Sequence, residues 1–311
     1  MKNVKTLIVV ALMGVSLFAS TTRTDALGGA GFWAEDYANV ASFPADVNNH
    51  NVAWTDGSDF TSIFNADGTT WGFAGGTGND VVNMMWGNGS MGASFGLTMD
   101  PTEAADAVVC AADAVDCVAS DAVAAGETSF AIGFGMPLAG MDFGFTFDGD
   151  NMGVNLRRAQ NVWLWDTMLI NFDMGMEDTD AETPATMGFG ADFYSNTSYD
   201  SGTNGLFALG FAYSDDGVEE TDAGMGINWN FAVESAMTDW ATLRVGYSHG
   251  YDFANGGTDD GGFTLGLGFN YGSFNLDMAL ANDMMFNDPV KYMTGRNGDA
   301  LGAGWTISYA W

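Results

Sequence analysis

Few residues in this chain of 311 could carry catalytic or metal chemistry. It has two histidines, His50 and His249, and it contains no Gly-x-Ser-x-Gly, His-Glu-x-x-His or phosphate-loop motif. Asp and Glu pairs carry little information, because 40 acidic residues make such pairs unavoidable. His249 continues the apolar face of a strand and is interpreted as an interfacial residue, and His50 as a polar contact of the N-terminal segment. We expect no enzyme activity, no cofactor and no metal centre.

Three acidic loop pieces share features with calcium loops, because each places hard carboxylate oxygens beside a glycine. They are Asp148-Gly149-Asp150-Asn151, Asp215-Asp216-Gly217 and Asp259-Asp260-Gly261. None completes a twelve-residue calcium loop with a terminal Glu. We therefore predict solvated acidic loops that bind divalent cations weakly and without specificity.

Charge and composition exclude some partners and favour one fold class. The net charge is -32 with 8 Lys and Arg, whereas nucleic-acid binding requires clustered basic residues. Yet 47% of the chain is hydrophobic and 14% is aromatic, with 43 Gly and 5 Pro. This composition favours an ordered, all-β protein over a disordered acidic chain or a helical bundle.

Residues 1–19 have the organisation of a secretory signal peptide. Lys2 and Lys5 precede an apolar run from Leu7 to Ala19, and small residues follow. The run is too short to span a bilayer as a helix, and no later stretch is long and apolar enough to do so. We predict an exported protein that is either soluble or a membrane β-barrel.

The two cysteines, Cys110 and Cys117, lie in an Ala-, Asp- and Val-rich segment. A cysteine pair in an exported protein most often forms a disulfide. The alternative is a metal or redox pair, although no histidine lies nearby and the spacing fits no common zinc pattern. The sequence favours the disulfide.

After Gly68, large apolar residues alternate with small or polar ones, which is the periodicity of β-strands. The clearest run is Phe263 to Tyr271, and the turn Gly272-Ser273 joins it to a second run. About fourteen strands are predicted, with twelve as the alternative, and they suit a single antiparallel barrel. The predicted strands are 52–64, 69–75, 80–87, 91–99, 130–136, 141–147, 162–173, 187–193, 207–213, 225–233, 243–247, 263–271, 274–280 and 302–311.

Very short turns and long loops connect these runs. Pro137 to Gly140 and Gly272-Ser273 are short, and the predicted long loops are 100–128, 196–205, 254–262 and 282–299. Short turns at one end and long loops at the other are typical of an outer-membrane barrel. No linker divides the chain, so residues 52–311 are predicted to form one barrel domain.

The small and polar face of the strands indicates which way the large residues point. A soluble sandwich would present long charged side chains there. In a membrane barrel the apolar face contacts lipid, and small polar residues line the lumen. The last strand resembles the assembly signal read by the outer-membrane insertion machinery, because its aromatic residues alternate to the final position: Trp305, Ile307, Tyr309 and Trp311. We predict a Gram-negative-type outer membrane, with its lipid and that machinery as partners.

Strand alternation places several charged residues on the predicted inner face. The pore-lining candidates are Asp142, Asp192, Glu234, Arg244 and Asp277. Acids outnumber bases there, and in a narrow pore they would concentrate cations and repel anions. Alternatively, Arg244 pairs with Glu234 or Asp277 in a structural network, and the two interpretations are compatible. Arg157 and Arg158, the only adjacent bases, are expected at a strand end or in a constriction opposite acids.

Three patches of the sequence resemble known barrels. The first is Thr24-Asp25-Ala26-Leu27-Gly28-Gly29-Ala30-Gly31, followed by 35–39 and by Phe43-Pro44-Ala45, and the others are 239–247 and 266–277. They are similar to the long-chain fatty-acid transporter-like and secretion-associated group of outer-membrane barrels, which usually has Asn at the place of Phe43. The resemblance implies a fourteen-stranded barrel with an N-terminal segment, residues 20–51, in or beneath the lumen.

Three functions are compatible with these features. The first is an outer-membrane channel through which small cationic or neutral solutes diffuse. The second, suggested by the resemblance, is a gated transporter of hydrophobic substrates such as fatty acids. The third is a closed barrel that acts as a surface anchor or secretion partner.

Overall fold

The structure is a computed structural model. It describes residues 22–29, 36–76, 80–100, 128–162, 164–177, 184–199, 202–218, 223–254, 257–258, 261–280 and 304–311. The predicted signal peptide (1–19) and the predicted disulfide (Cys110 and Cys117) lie outside these ranges. No helix in the described ranges has the length and apolar character needed to cross a membrane.

Within these ranges the chain forms one antiparallel sheet of seventeen strands. The strands are β1 (Val52–Thr55), β2 (Asp59–Ala66), β3 (Thr69–Gly76), β4 (Asp80–Gly87), β5 (Gly92–Met99), β6 (Thr128–Leu138), β7 (Met141–Phe147), β8 (Asn151–Val162), β9 (Trp165–Gly175), β10 (Thr186–Tyr199), β11 (Thr203–Asp215), β12 (Gly224–Thr238), β13 (Ala241–Asp252), β14 (Gly257–Thr258), β15 (Gly262–Tyr271), β16 (Phe274–Leu280) and β17 (Gly304–Ala310). The two-residue strand β14 pairs only with the end of β13. The other sixteen strands pair in chain order, and β17 pairs with β1, which closes the barrel.

The barrel therefore has sixteen strands, and the predicted count of about fourteen, or twelve, is wrong. The sequence predicts one strand at 52–64, but the turn at Asp56 to Ser58 divides these residues into β1 and β2. The sequence does not predict β8, because Arg157, Arg158 and neighbouring amides interrupt its apolar alternation. The predicted loop at 196–205 is also wrong, since β10 continues to Tyr199 and β11 begins at Thr203.

The connections between strands differ at the two ends of the barrel. At the end that we call the short-turn end, two to four residues join the strands, as at Ala139-Gly140 and Gly272-Ser273. The long connections, from Met99 to Thr128 and from Leu280 to Gly304, both lie at the opposite end, the loop end. Since β1 begins and β17 finishes at the short-turn end, both ends of the barrel segment lie there.

The polarity of the two barrel faces is the reverse of that in a soluble protein. On the outer face, Phe189, Phe211 and Phe231 are 45%, 47% and 50% exposed. On the inner face, Glu234 and Arg244 are buried. Because successive residues of a strand point to opposite faces, the apolar set covers the outside and the polar set the lumen.

The described part of the N-terminal segment lies in the lumen. It comprises residues 22–29 and 36–50, which we call the lumen insert, and contains an α-helix at Thr22–Ala26 and 3-10 helices at Tyr37–Val40 and Pro44–Asn49. The α-helix packs on β13 and β15 to β17, and the second 3-10 helix packs on β3 to β7. Asn48 accepts the N–H of Gly89, in the short turn between β4 and β5, at 2.8 Å, so the second 3-10 helix lies at the short-turn end. The Thr22 hydroxyl lies 2.8 Å from that of Thr306, two residues from the loop-end start of β17.

The closure of the barrel can be tested at Ile307, whose backbone lies opposite both Thr55 of β1 and Leu276 of β16. The N–H of Ile307 points to β1, because the N–H of Trp311, four residues further on, donates to the Asn51 carbonyl. Replacing Ile307 with Pro removes this N–H and disturbs the β1–β17 ladder. We expect the fraction of refolded protein that resists trypsin to fall well below that of Ile307→Ala, which loses the side chain and keeps the ladder. Equal resistance of the two variants would contradict the described closure.

Candidate functional site in the barrel lumen

A row of glycines on the inner wall makes room for the backbone of the lumen insert. Gly87, Gly92, Gly135 and Gly144 are direct cross-strand partners on β4 to β7. A Cβ atom at Gly92 would collide with the Pro44 carbonyl, and one at Gly144 with the Ser42 carbonyl. The same addition at Gly135 would approach the backbone nitrogen of Ala45 at 2.5 Å. Only glycine lets residues 42–48 lie this close to the wall.

Glycines also accommodate the first part of the insert on the opposite wall. Cβ atoms at Gly246 and Gly266 would collide with Leu27 and Ala26. Gly28 itself has φ of +77°, which L side chains rarely adopt, and its carbonyl accepts the Asn230 side-chain amide at 2.7 Å. The helix is held further by a Thr264 hydroxyl that donates to the Ala26 carbonyl at 3.0 Å.

Two apolar clusters attach the insert to the wall. One packs Leu27 against the buried wall residues Tyr194 and Leu206. The second places the Tyr37 ring against Trp54, with ring centroids 4.4 Å apart. It also includes five buried aliphatic or thioether residues, which are Val40, Val47, Val52, Ile63 and Met85. Apolar surface removed from water thus contributes to docking inside an otherwise polar lumen.

Arg157 connects the insert to β7 and β8. Its guanidinium donates two bonds to the Asp46 carboxylate, at 2.7 and 2.8 Å, and one to Asp142 at 2.8 Å. The guanidinium carbon also lies 4.4 Å from the centre of the Phe43 ring, a cation–π distance. Bidentate pairing of a buried arginine fixes both the position and the orientation of the Pro44–Asn49 helix.

A second ion-pair network connects the insert to β12, β13 and β16. Arg23 donates to Glu234 at 2.7 and 3.0 Å and to Asp36 at 3.1 Å. Glu234 also accepts from Arg244 at 2.7 Å, and Arg244 donates to Asp277 at 2.6 Å. Three acids and two bases therefore alternate in one connected series of ion pairs, so each of these charges has an opposite charge beside it.

Burial shifts the pKa of two ionisable groups on the insert. Burial raises the pKa of the Asp36 carboxyl, and the adjacent Arg23 partly opposes that effect. Burial lowers the pKa of the His50 imidazole, against the charges of Asp46 and Asp36. The docked state disfavours protonated His50. Docking of the insert therefore weakens as the pH falls below about 6.5, the ordinary pKa of a histidine.

The structure separates the charged residues that sequence alternation grouped together. Glu234, Arg244 and Asp277 belong to the second network, and Asp142 pairs with Arg157 while its side chain stays 48% exposed. Asp192 lies on the inner face of β10, beside Asn228 across Gly210, and no base in the described part of the chain pairs with it.

Arg158 differs from its neighbour Arg157. It is exposed on the outer face of β8, opposite Met168 of β9, and therefore does not face Asp46 or Asp142. Adjacent bases on a strand necessarily point to opposite faces. Of these two arginines, only Arg157 faces the lumen.

Four charged residues of the site were not identified from sequence. Asp173 lies on the inner face of β9 and accepts a hydrogen bond from Asn171 at 3.0 Å. Its alternation with Asn171 was the available signal. Arg23, Asp36 and Asp46 lie in the insert, which has no strand periodicity, so no local pattern indicates that they face the lumen.

The remaining predicted features have these positions. In the last strand, Trp305, Ile307, Tyr309 and Trp311 are exposed, and Thr306 between them is buried.

In two of the three acidic loop pieces, Asp148 and Asp215 accept backbone N–H groups of their own turns. Asp259 and Asp260 of the third piece lie outside the described ranges. Within the part of the chain that is described, no three His, Cys, Asp or Glu residues are placed to hold a metal ion.

Comparisons with known proteins find similarity only among solved structures. No protein-family model matches the chain, and no curated protein matches it, so the resemblance to fatty-acid transporter-like barrels stays a prediction. Two mutants of the Rh. blastica porin are similar to 81% of this chain over 89% of theirs, at 11% identity, with TM-scores of 0.38 and 0.36.

Proposed function

We propose that this protein is an outer-membrane channel through which small solutes diffuse, with cations preferred over anions. The observation that carries the proposal is the closed sixteen-stranded barrel with an exposed apolar wall and a polar, charged interior. A closed barrel satisfies every strand hydrogen bond without water, which is the condition for β-structure in hydrocarbon. The proposal includes no enzymatic activity.

The lumen insert is the narrowing element of the proposed channel. It packs on β3 to β7 through its second 3-10 helix and on β13 and β15 to β17 through its first helix. Leu27 of the insert also packs on Tyr194 of β10. Asp192 lies on the inner face two residues from Tyr194, and Asp173 lies on the inner face of β9 nearer the loop end. The solute path that we propose runs past these two acids.

The charges of the lumen favour cations. Each described inward base, Arg23, Arg157 and Arg244, is bound by at least two carboxylates. Asp173 and Asp192 have no base beside them in the described ranges. Negative charge on a confined aqueous path raises the local cation concentration and repels anions.

The position of the insert also favours a second candidate, a gated transporter of hydrophobic substrates in which the insert moves. The two candidates differ in the resting state of the lumen. A diffusion channel conducts ions steadily after insertion into a bilayer, whereas a gated transporter is silent and retains co-purified fatty acid or another lipid. A silent barrel that instead captures another surface protein would support the third function, an anchor or secretion partner.

Planar-bilayer recording of the mature protein in a salt gradient tests the proposal directly. We expect stable open conductance and a reversal potential shifted toward the cation equilibrium potential. The double variant Asp173→Asn, Asp192→Asn should lower the cation-to-anion permeability ratio, because it removes the two lumen charges without a basic partner. Asp239→Asn, in the exposed turn between β12 and β13, is the matched control. Silent insertion would reject the channel, and an unchanged ratio would remove these acids from the path.

The narrowing role of the insert can be tested at Gly144. Gly144→Ala places a methyl group against the Ser42 carbonyl, and such overpacking costs about 1–3 kcal/mol of docking free energy. We expect a larger single-channel conductance and faster proteolysis of residues 36–50. Gly262→Ala is the control, because its added Cβ would meet nothing within 4 Å. Equal conductance of the two variants would show that the insert does not narrow the path.

The membrane orientation of the barrel can be tested at Leu267, on the outer face of β15 between the inward-facing Gly266 and Gly268. Leu267→Arg is expected to destabilise the folded barrel in the bilayer, lowering its free energy of unfolding by about 2–4 kcal/mol if the residue lies at the midplane. Leu267→Met preserves side-chain volume and should have little effect. Urea titration of protein in lipid vesicles measures both, and a small effect of arginine would contradict contact with lipid.

A further inference from the structure

The few basic residues are distributed unequally between the faces of the barrel. The described ranges contain four, of which Arg23, Arg157 and Arg244 face the lumen and are bound by carboxylates. Arg158 is the fourth, and it is exposed on the outer wall. Among the described residues its guanidinium has no ion-pair or hydrogen-bond partner. In the described ranges the outer wall therefore presents one isolated cation, in a chain of net charge -32.

The depth of Arg158 along the barrel is defined by its neighbours. The ladder between β7 and β8 ends at the pair Asp142 and Arg157, so Arg158 is level with the start of β7, beside the turn Ala139-Gly140. On the other side it lies opposite Met168, three residues from the start of β9. Arg158 is thus at the rim of the short-turn end.

Aromatic rings continue around the outer wall from this rim. The Trp165 ring stacks on Phe207 with centroids 5.5 Å apart, and Phe207 stacks on Phe231 at 4.7 Å. Aromatic side chains concentrate at the level of lipid headgroups in membrane barrels. An arginine on the lipid face is strongly destabilising at the bilayer midplane and nearly neutral at the level of the headgroups, so the rim is where it is tolerated.

One acid on the same face could compete for Arg158. Asp166 lies two residues before Met168 on β9, and its carboxylate accepts the backbone N–H of Asn196 at 2.6 Å. Since this carboxylate is bonded to β10 and does not reach Arg158 within ion-pair distance, the guanidinium keeps its donors for another anion. At headgroup depth the available anions are lipid phosphates, which guanidinium groups bind in a bidentate manner.

From this placement we propose that Arg158 is a binding site for the phosphate of an anionic phospholipid in the leaflet at the short-turn end. The proposal rests on the membrane location given under the proposed function. The site holds one lipid beside β8 and β9 and fixes the depth and tilt of this part of the wall. It has no part in conduction, because Arg158 faces away from the lumen.

Native mass spectrometry of the purified full-length barrel tests this site. The protein in mild detergent is incubated with phosphatidylglycerol or phosphatidylcholine, and the bound lipid is counted. We expect preferential retention of phosphatidylglycerol, reduced about tenfold in Arg158→Gln, as for the loss of one charge-assisted contact, and partly restored in Arg158→Lys. Met168→Gln, a polar substitution opposite Arg158, should retain lipid as the unmodified protein does.

Three results would overturn the proposal. They are unchanged retention in Arg158→Gln, an equal loss in Met168→Gln, and release of the lipid by millimolar inorganic phosphate, which would assign the site to the free anion. Failure of the channel proposal is a separate outcome. Arg158→Gln is expected to conduct as the unmodified protein does, so silence of both proteins in planar bilayers would reject the channel and leave the lipid result to be judged alone.

Discussion

Every other property of this structure depends on closing the hydrogen-bond ladder between β17 and β1. An open sheet of sixteen strands would have two edges with unpaired N–H and C=O groups, which hydrocarbon does not tolerate. The register from Val52 opposite Ala310 to Thr55 opposite Ile307 joins a strand of four residues to the last strand of the chain. Once the ring is closed, strand alternation divides the side chains into an enclosed set and an outer set.

The enclosed set contains buried charges that form ion pairs between the wall and the insert. One side of the wall depends on these pairs more than the other. Glu234 would keep Arg244 if the insert were absent. Arg157 would lose both bonds to Asp46 and keep its bond to Asp142, whose side chain is half exposed. A buried charge without its partner is strongly destabilising. The β7–β8 side of the wall therefore needs the insert more than the β12–β16 side does.

Alternation was sufficient to predict the barrel and the inward position of Asp142, Asp192, Glu234, Arg244 and Asp277, because period two is a local property of the chain. It was insufficient where charges fall on a strand, as in β8, or where a short turn divides an apolar stretch, as between β1 and β2. The partners of the charges were not predictable, since Asp46 and Arg157 are 111 residues apart in sequence.

The glycines show the same limit. In the sequence they indicate a lumen face without side-chain volume, which is equally compatible with water, solute or another part of the chain. Their role in accommodating the insert is visible only in the strand pairing of the folded barrel. There Gly87, Gly92, Gly135 and Gly144 form one row across four strands. The row is a non-local property, because it depends on the lengths of the turns that set the pairing.

The same row bears on whether the insert is a gate or a fixed wall. Glycine weakens a strand, because it loses more conformational freedom on folding and packs no side chain. Four glycines side by side therefore lower the stability of β4 to β7, and the loss is offset only while residues 42–48 occupy the groove. A segment that spent much of its time elsewhere would leave that cost uncompensated, along with the buried Arg157. The geometry therefore favours a permanently docked insert, and in the proposed channel the solute passes Asp173 and Asp192, the lumen acids that have no base beside them in the described ranges.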